Sequence, residues 1–191
     1  MFSGIIQAKS KILSIQSGTF TVENSFGDTL EVGESIAHDG TCMTIIDFNK
    51  ESYTFFVMQE SFEITNFGEK KPGDFFNVEK SLKLNDAVNG HFVTGHVDTL
   101  GTIMKIIQNS DNSIEIFTKF PKKYTNYIID KGSITINGVS LTVCETGEDY
   151  LSVSIIPHTQ EVTNLGELKT GDSVNLEFDM VGKYINKIYG K

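Results

Sequence analysis

The sequence predicts an all-β chain built from two small closed barrels in tandem, related by internal duplication and followed by one C-terminal α-helix. Three observations carry that expectation. Residues 35–79 align without a gap to residues 133–177 at an offset of 98. Strand-like segments are short and separated by Gly-containing turns, and apolar residues fall at helical spacing in the tail.

The duplication comes first, because a missed repeat misassigns the whole fold. The identical pairs are Ser35/Ser133, Ile36/Ile134, Gly40/Gly138, Thr44/Thr142, Glu63/Glu161, Thr65/Thr163 and Asn66/Asn164. They continue with Gly68/Gly166, Glu69/Glu167, Lys71/Lys169, Gly73/Gly171, Asp74/Asp172, Asn77/Asn175 and Glu79/Glu177. These are 14 identities over 45 positions, several times what unrelated sequences of this composition give. Upstream the offset falls to 91, pairing Phe2-Ser3-Gly4 with Val93-Thr94-Gly95. The expected units are residues 1–88 and 89–177, with residues 178–191 as a helical tail.

Each unit reads as β structure. SIAHDGTCMTI and SITINGVSLTV both place a turn dipeptide, Asp39-Gly40 or Asn137-Gly138, between two short strands. Asn, Asp and Gly tolerate the positive φ that tight hairpins require. YTFFVM and YLSVSII are aromatic and β-branched runs of strand length. Gly73-Asp74 and Gly171-Asp172 mark turns before FFNVE and SVNLE. Six or so strands in so few residues predict a closed barrel, which also removes exposed strand edges. In the tail, Phe178, Val181, Ile185 and Ile188 form one apolar stripe on a helix of about three turns. Such a face needs a partner: a second subunit first, the chain's own barrel as the alternative.

Composition narrows the function. With 39% hydrophobic and 21% charged residues, the chain has an ordinary soluble make-up. No apolar run approaches the roughly 18–20 residues of a membrane span. The start, MFSGIIQAKSKI, lacks the features of a secretory signal, which predicts a cytoplasmic protein. The net charge of −9 repels phosphate backbones, so nucleic acid is not an expected partner. Cys42 and Cys144 fit neither a C-x-x-C nor a zinc spacing and are expected as reduced thiols. There is no phosphate loop, no dinucleotide fingerprint and no G-x-S-x-G elbow. Chemistry must then come from a few Ser, Thr, Cys, His and Asp side chains.

Two segments hold those groups. GHFVTGHVD carries His91 and His96, whose spacing puts them on opposite faces of a strand and argues against a shared metal. Either imidazole suits a proton shuttle. His91 reads equally well as satisfied by a backbone carbonyl, whereas His96 follows Gly95, where backbone approaches a ligand closely. In the hairpins, Cys42 and Thr44, and likewise Ser140 and Thr142, alternate onto one strand face. Those small groups either fill a tapering barrel or hydrogen-bond a flat polar heterocycle.

MFSGIIQ, GESIAHDGTCMTI, ESFEITNFGE, NVEK, GHFVTGHVD, GSITINGVSLTV, EVTNLGELKTGD and NLEFD occur in order along essentially the whole chain. On these motifs the sequence resembles the riboflavin synthase family. The resemblance implies a homotrimer in which each chain folds as two six-stranded Greek-key barrels plus a helix used in trimerisation. Each barrel would bind one 6,7-dimethyl-8-ribityllumazine, with the active site between barrels of different subunits. A four-carbon unit would pass from one lumazine to the other, with no metal or organic cofactor. The products would be riboflavin and 5-amino-6-ribitylaminouracil, which suggests a functional link to lumazine synthase.

The resemblance also implies roles. Phe2 would pack on a substrate ring. Ser35, Cys42 and Thr44 would line the first site, with Ser35 and Cys42 assisting nucleophile addition or proton transfer. His96 would act with Ser35, Ser140 and Thr142 would bind the second lumazine, and Asp179 would act on its ring. The implied first binding surface comprises Gly4, Ile5, Ile6, Thr41, Cys42, Met43, Phe56, Val57, Met58, Gln59, Glu60 and Ser61. The second comprises Gly95, His96, Val97, Lys131, Ser140, Leu141, Thr142, Ile156, Pro157, His158, Thr159, Gln160 and Glu161. The chain departs from the family at Asp39, where Asn is usual, and at His158, where Glu is common; Glu63 and Val162 stand where a basic residue is often seen. The alternative is similarity to lumazine proteins of luminous bacteria, duplicated barrels that bind without catalysis. Both hairpins here keep their hydroxyl pattern, which favours the enzyme.

Overall fold

The structure, a computed structural model, describes residues 1–190; Lys191, the last residue of the expected tail, lies outside the described residues. The first barrel is built from β1 (Ala8–Gln16), β2 (Thr19–Glu23), β3 (Ser35–His38), β4 (Thr41–Phe48), β5 (Ser52–Phe56) and β6 (Phe75–Lys80). The second is built from β7 (Thr99–Gln108), β8 (Ile114–Lys119), β9 (Ser133–Ile136), β10 (Val139–Thr146), β11 (Tyr150–Ile155) and β12 (Ser173–Phe178). Both close in the same antiparallel order, β1-β2-β5-β4-β3-β6 and β7-β8-β11-β10-β9-β12. The duplication extends to irregularities: register shifts at Ile12/Ser14 and Ile45/Asp47 recur at Ile103/Lys105 and Val143/Glu145. A bulge bends a strand, so repeating it at the same places repeats the closure.

The predicted hairpins form. Asp39 and Gly40 have φ of 43° and 80°, and Asn137 and Gly138 have 45° and 79°. Two successive positive values define the primed two-residue turn that matches strand twist. The two turns then meet each other. A Cβ on Gly40 would lie 2.8 Å from the Gly138 nitrogen, so the approach requires glycine.

That contact lies in a polar seam between the barrels. Asn77 Nδ2 donates to the Asn137 carbonyl, and Asn175 Nδ2 donates to the Asp39 carbonyl, each at 2.9 Å. The Asn164 N–H donates to Asn77 Oδ1 at 2.7 Å, and the Asn66 N–H to Asn175 Oδ1 at 2.8 Å. Buried amides paired in this reciprocal way fix one relative placement of the barrels, since any slip would orphan several at once. Asp39 breaks the symmetry: it is fully buried, and its Oδ2 lies 2.7 Å from Lys70 Nζ, where the second half has Asn137 and Leu168.

Among the described residues three short α-helices accompany the barrels: α1 (Gln59–Ile64), α2 (Pro157–Val162) and α3 (Met180–Tyr189). The first two occupy equivalent places and have no counterpart among the sequence expectations. The tail helix is present, but Phe178 is not part of its stripe. It is the last residue of β12, buried with Phe120 and Tyr124, because strand pairing to Ile134 claims its backbone. Val181, Ile185 and Ile188 remain 60%, 55% and 68% exposed, an apolar face with no cover in the single chain.

Candidate active site

The face that carries Cys42 and Thr44 turns outward. Along β4, Thr41, Met43 and Ile45 are buried, while Cys42 is half-buried and Thr44 and Ile46 are exposed. The thiol and hydroxyl therefore do not fill the barrel; they floor a groove on its outer wall. A cavity of about 480 Å³ opens there, lined by Thr41, Cys42, Met43, Thr44, Phe56, Met58, Glu60, Ser61, Gly95, His96 and Val97 together with Ile46, Ile64 and Thr65. Helix α1 forms one wall with Glu60, Ser61 and Ile64. Phe56, Met58 and Ile46 add exposed apolar surface, at 52%, 62% and 49%. Polar groups at the floor and apolar sides suit a flat heterocycle. A cleft of about 590 Å³ between the barrels is lined by Glu69, Lys70, Asp74, Glu167 and Asp172 and holds neither thiol nor imidazole.

The fourth wall comes from the other half of the chain. Residues 93–97 are not a strand; they make one isolated bridge, Phe2 to Val93, so the expected opposite-face placement of His91 and His96 does not apply. The Cys42 N–H donates to the Gly95 carbonyl at 2.8 Å, and Gly95 has φ of 78°. A Cβ on Gly95 would fall 2.7 Å from Cys42 Cβ. The mirror contact is equally tight: the Ser140 N–H donates to the Gly4 carbonyl at 2.8 Å, and a Cβ on Gly4 would fall 2.6 Å from Ser140 Cβ. Each barrel's hairpin is thus covered by the segment that leads into the other barrel. Gly95, His96 and Val97, expected with the second surface, sit on the first; Gly4, Ile5 and Ile6, expected with the first, sit beside the second, where Ile6 packs on its core.

Two buried glutamates hold these segments. Glu177 on β12 accepts from Thr94 N–H and Oγ1–H at 2.7 and 2.6 Å, from Gly95 N–H at 3.0 Å and from His96 N–H at 3.1 Å. Glu79 on β6 accepts from the Ser3 N–H and Oγ–H, both at 2.7 Å, and from the Gly4 N–H at 2.9 Å. Burial pushes both carboxyls above their ordinary range, while the donated hydrogen bonds pull the other way. Their identity at offset 98 was visible in the sequence; their task was not.

Other expected residues fall as follows. Ser35 pairs with Thr44 in the β3–β4 ladder and lies outside the cavity lining. Phe2 is fully buried with Ala37, Val93 and Cys42, so it backs the cavity wall rather than presenting a free ring face. Val57 points into the first core, and Gln59 is exposed on α1. In the second barrel, Ser140 Oγ lies 2.7 Å from His91 Nδ1, and Thr135 Oγ1 lies 3.2 Å from His91 Nε2. Burial lowers the His91 pKa, and the nearby Asp179 carboxylate raises it in part. His91, ranked below His96 from sequence, is therefore the better-anchored imidazole. Asp179 also caps α3, accepting from Val181 N–H at 2.9 Å. Leu141 packs against the second core, Thr142 pairs with Ser133, and Lys131 reaches the Cys144 carbonyl at 3.4 Å. Ile156, Pro157, His158, Thr159, Gln160 and Glu161 form the N-cap and body of α2, the counterpart of the α1 wall; Gln160 is tied to the Ile155 carbonyl at 3.1 Å. Both cysteines are free thiols.

The lumazine binding domain family matches residues 3–81 and again residues 94–179. Riboflavin synthase of Actinobacillus pleuropneumoniae is 42% identical, over 98% of this chain and 89% of that protein. Riboflavin synthase of Escherichia coli K12 is 39% identical over 94% and 87%, and that of Bacillus subtilis 168 is 36% identical over 100% and 91%. Among solved structures, LumP complexed with riboflavin superposes with a TM-score of 0.86 at 24% identity, over 94% of this chain and 100% of that one. LumP complexed with 6,7-dimethyl-8-(1'-D-ribityl) lumazine gives 0.82 at 25% identity, over 94% and 99%. A twice-matched lumazine binding domain on a doubled barrel, with full-length relatives at this identity, means that the chain belongs to the riboflavin synthase family.

Proposed function

We propose that the chain acts as a riboflavin synthase, taking two molecules of 6,7-dimethyl-8-ribityllumazine to riboflavin and 5-amino-6-ribitylaminouracil by transfer of a four-carbon unit. The observation that carries this reading is the outer-wall cavity with Cys42, Thr44 and His96 at one hairpin, and the same hydroxyl pattern at Ser140 and Thr142 in the other half. Two identical substrates are matched by two equivalent surfaces. The substrate's own ring acidifies its C7 methyl group, so the protein needs modest proton shuttles rather than a strong base. Holding two flat rings in opposed orientation supplies most of the acceleration, with effective molarities of about 10⁵–10⁸ M available from positioning.

In this reading His96 and Cys42 serve proton transfer at the first site, while Ser140 and Thr142 hold the second lumazine, with His91 behind them. Residues 1–88 and 89–177 are the two lumazine-binding units. The uncovered face of α3 supports a homotrimer, in which a first barrel of one subunit meets a second barrel of its neighbour. A cytoplasmic setting and a functional link to lumazine synthase complete the proposal.

A second reading, a lumazine-holding protein without turnover, is favoured by the likeness to the LumP complexes. One assay separates them. Protein mixed with 6,7-dimethyl-8-ribityllumazine and a chelator should develop riboflavin absorbance; tight binding without that absorbance supports the second reading. His96→Ala should lower kcat about 10²-fold, and Cys42→Ala and Ser35→Ala by less, each with a smaller change in lumazine affinity. Unchanged rates in all three refute the residue assignment.

A further inference from the structure

Glu177 belongs to the last strand of the second barrel, where its backbone pairs with Thr135, yet all its side-chain hydrogen bonds go to the segment that walls the first barrel's cavity. Its two oxygens accept from four donors, on Thr94, Gly95 and His96. That saturates the acceptor capacity of a carboxylate. Three consecutive residues are thereby fixed by one side chain, and the Gly95 carbonyl is left aimed at the Cys42 N–H, 2.8 Å away. Glu79 mirrors this on the first barrel's last strand: it fixes Ser3 and Gly4, and the Gly4 carbonyl meets the Ser140 N–H at 2.8 Å. Neither carboxylate lines the cavity.

We infer that Glu177 and Glu79 are positioning residues that work crosswise: each sets the backbone wall of the lumazine surface on the opposite barrel. Glu177 acts through the Gly95–His96 segment on the Cys42 site, and Glu79 acts through the Ser3–Gly4 segment on the Ser140 site. The inference rests on the lumazine reading proposed above. A carboxylate that only glued the fold together would affect both surfaces alike; a crosswise positioner affects one.

Labelling of Cys42 by 5,5′-dithiobis(2-nitrobenzoate), in a Cys144→Ser background, reads the Gly95 wall without any turnover. Glu177→Gln puts an NH₂ group where an oxygen now accepts, so it should raise the labelling rate at least about five-fold; Glu79→Gln, which reaches Cys42 only through the Phe2 ring beside Ser3, should raise it less than about two-fold. In the lumazine assay Glu177→Gln should lower kcat about ten-fold with a smaller change in KM, and by less than about two-fold once His96 is already Gln. Glu79→Gln should instead multiply fully with His96→Gln. Equal labelling effects of the two glutamate variants, or full multiplication of Glu177→Gln with His96→Gln, overturns the inference. If Glu177→Gln does not fold, Thr94→Val, which removes one of the four donors and leaves the carboxylate, carries the same comparison. Absence of turnover in the unmodified protein would sink the proposed function, while the labelling contrast would still decide the positioning role.

Discussion

The two barrels share a strand order but not a core. At offset 98, the buried His38, Tyr53, Phe55, Phe67 and Phe76 of the first correspond to Ile136, Leu151, Val153, Leu165 and Val174 of the second. The first core is an aromatic cluster: Phe20 stacks on Phe55 at 5.5 Å, Phe67 meets Phe76 at 4.9 Å, and His38 lies 4.1 Å from Phe55. The second is aliphatic, and its aromatic rings collect at one end, where Phe178 meets Phe120, Tyr124 and Tyr127. By contrast, Asn66, Asn77 and Glu79 are identical to Asn164, Asn175 and Glu177. Apolar volume can be redistributed as long as the interior stays filled. A reciprocal amide or carboxylate contact has no such freedom, because replacing one partner orphans the other. Duplication therefore left the cores free to drift and held these reciprocal asparagines and glutamates fixed, with Asp39 and Lys70 the departures in the seam.

The largest way to break this comparison is at its one charged asymmetry. Lys70→Leu copies the second half but strands the buried Asp39 carboxylate, and should cost about 3–5 kcal/mol in urea unfolding. Adding Asp39→Asn completes the copy of Asn137 and Leu168, and should recover most of that loss. A harmless single Lys70→Leu would mean that the seam does not need its charge balanced.

A smaller effect separates the cores by pH. Burial pushes the His38 pKa down to about 3, with Tyr53 Oη–H at 2.8 Å from Nε2 and the Ile36 carbonyl 3.2 Å from Nδ1. The unfolded chain takes up a proton below about pH 6.5 that the folded chain refuses. This contribution is complete above that pH and is lost as pH falls towards 3, at about 1.4 kcal/mol per unit. Glu79 and Glu177, with raised pKa values, work in the opposite sense: their folded forms bind protons sooner, so acid relieves them. The double variant His38→Ile/Tyr53→Leu, which copies Ile136 and Leu151, should flatten the acid slope of stability relative to the unmodified chain between pH 6.5 and 5. Parallel slopes would show that His38 is not the group responsible.

Much of the architecture could be read in advance from residues 35–79 and 133–177, because a gapless repeat with Asp-Gly and Asn-Gly turns encodes the same hairpin twice. Helices α1 and α2 escaped because six residues make under two turns and carry no 3.6-residue stripe. Pro157, at the first turn of α2, was the available signal. Phe178 misled for the opposite reason: by spacing it fits the stripe of α3, and only its pairing with Ile134 reveals a strand. The site residues Cys42, Thr44 and His96 were legible as types; the family resemblance set His96 beside Ser35, but no spacing within the chain carries that grouping. Exchanging two equivalent segments between equivalent barrels leaves every local pattern unchanged, so nothing in the sequence distinguishes Gly95 over Cys42 from Gly95 over Ser140.

The docking of residues 2–4 across the seam also has a consequence for biosynthesis. As the polypeptide leaves the ribosome, Glu79 can hold Ser3 and Gly4, but the Gly4 carbonyl has no partner until the hairpin around Ser140 exists. Likewise, Cys42 stays uncovered until residue 95 has been made. At typical synthesis rates the intervening stretch takes on the order of 10 s, during which the nascent first barrel shows an open flank to chaperones and to neighbouring chains. A bulky fusion placed directly before Met1 would prolong that exposure by obstructing the seating of Phe2.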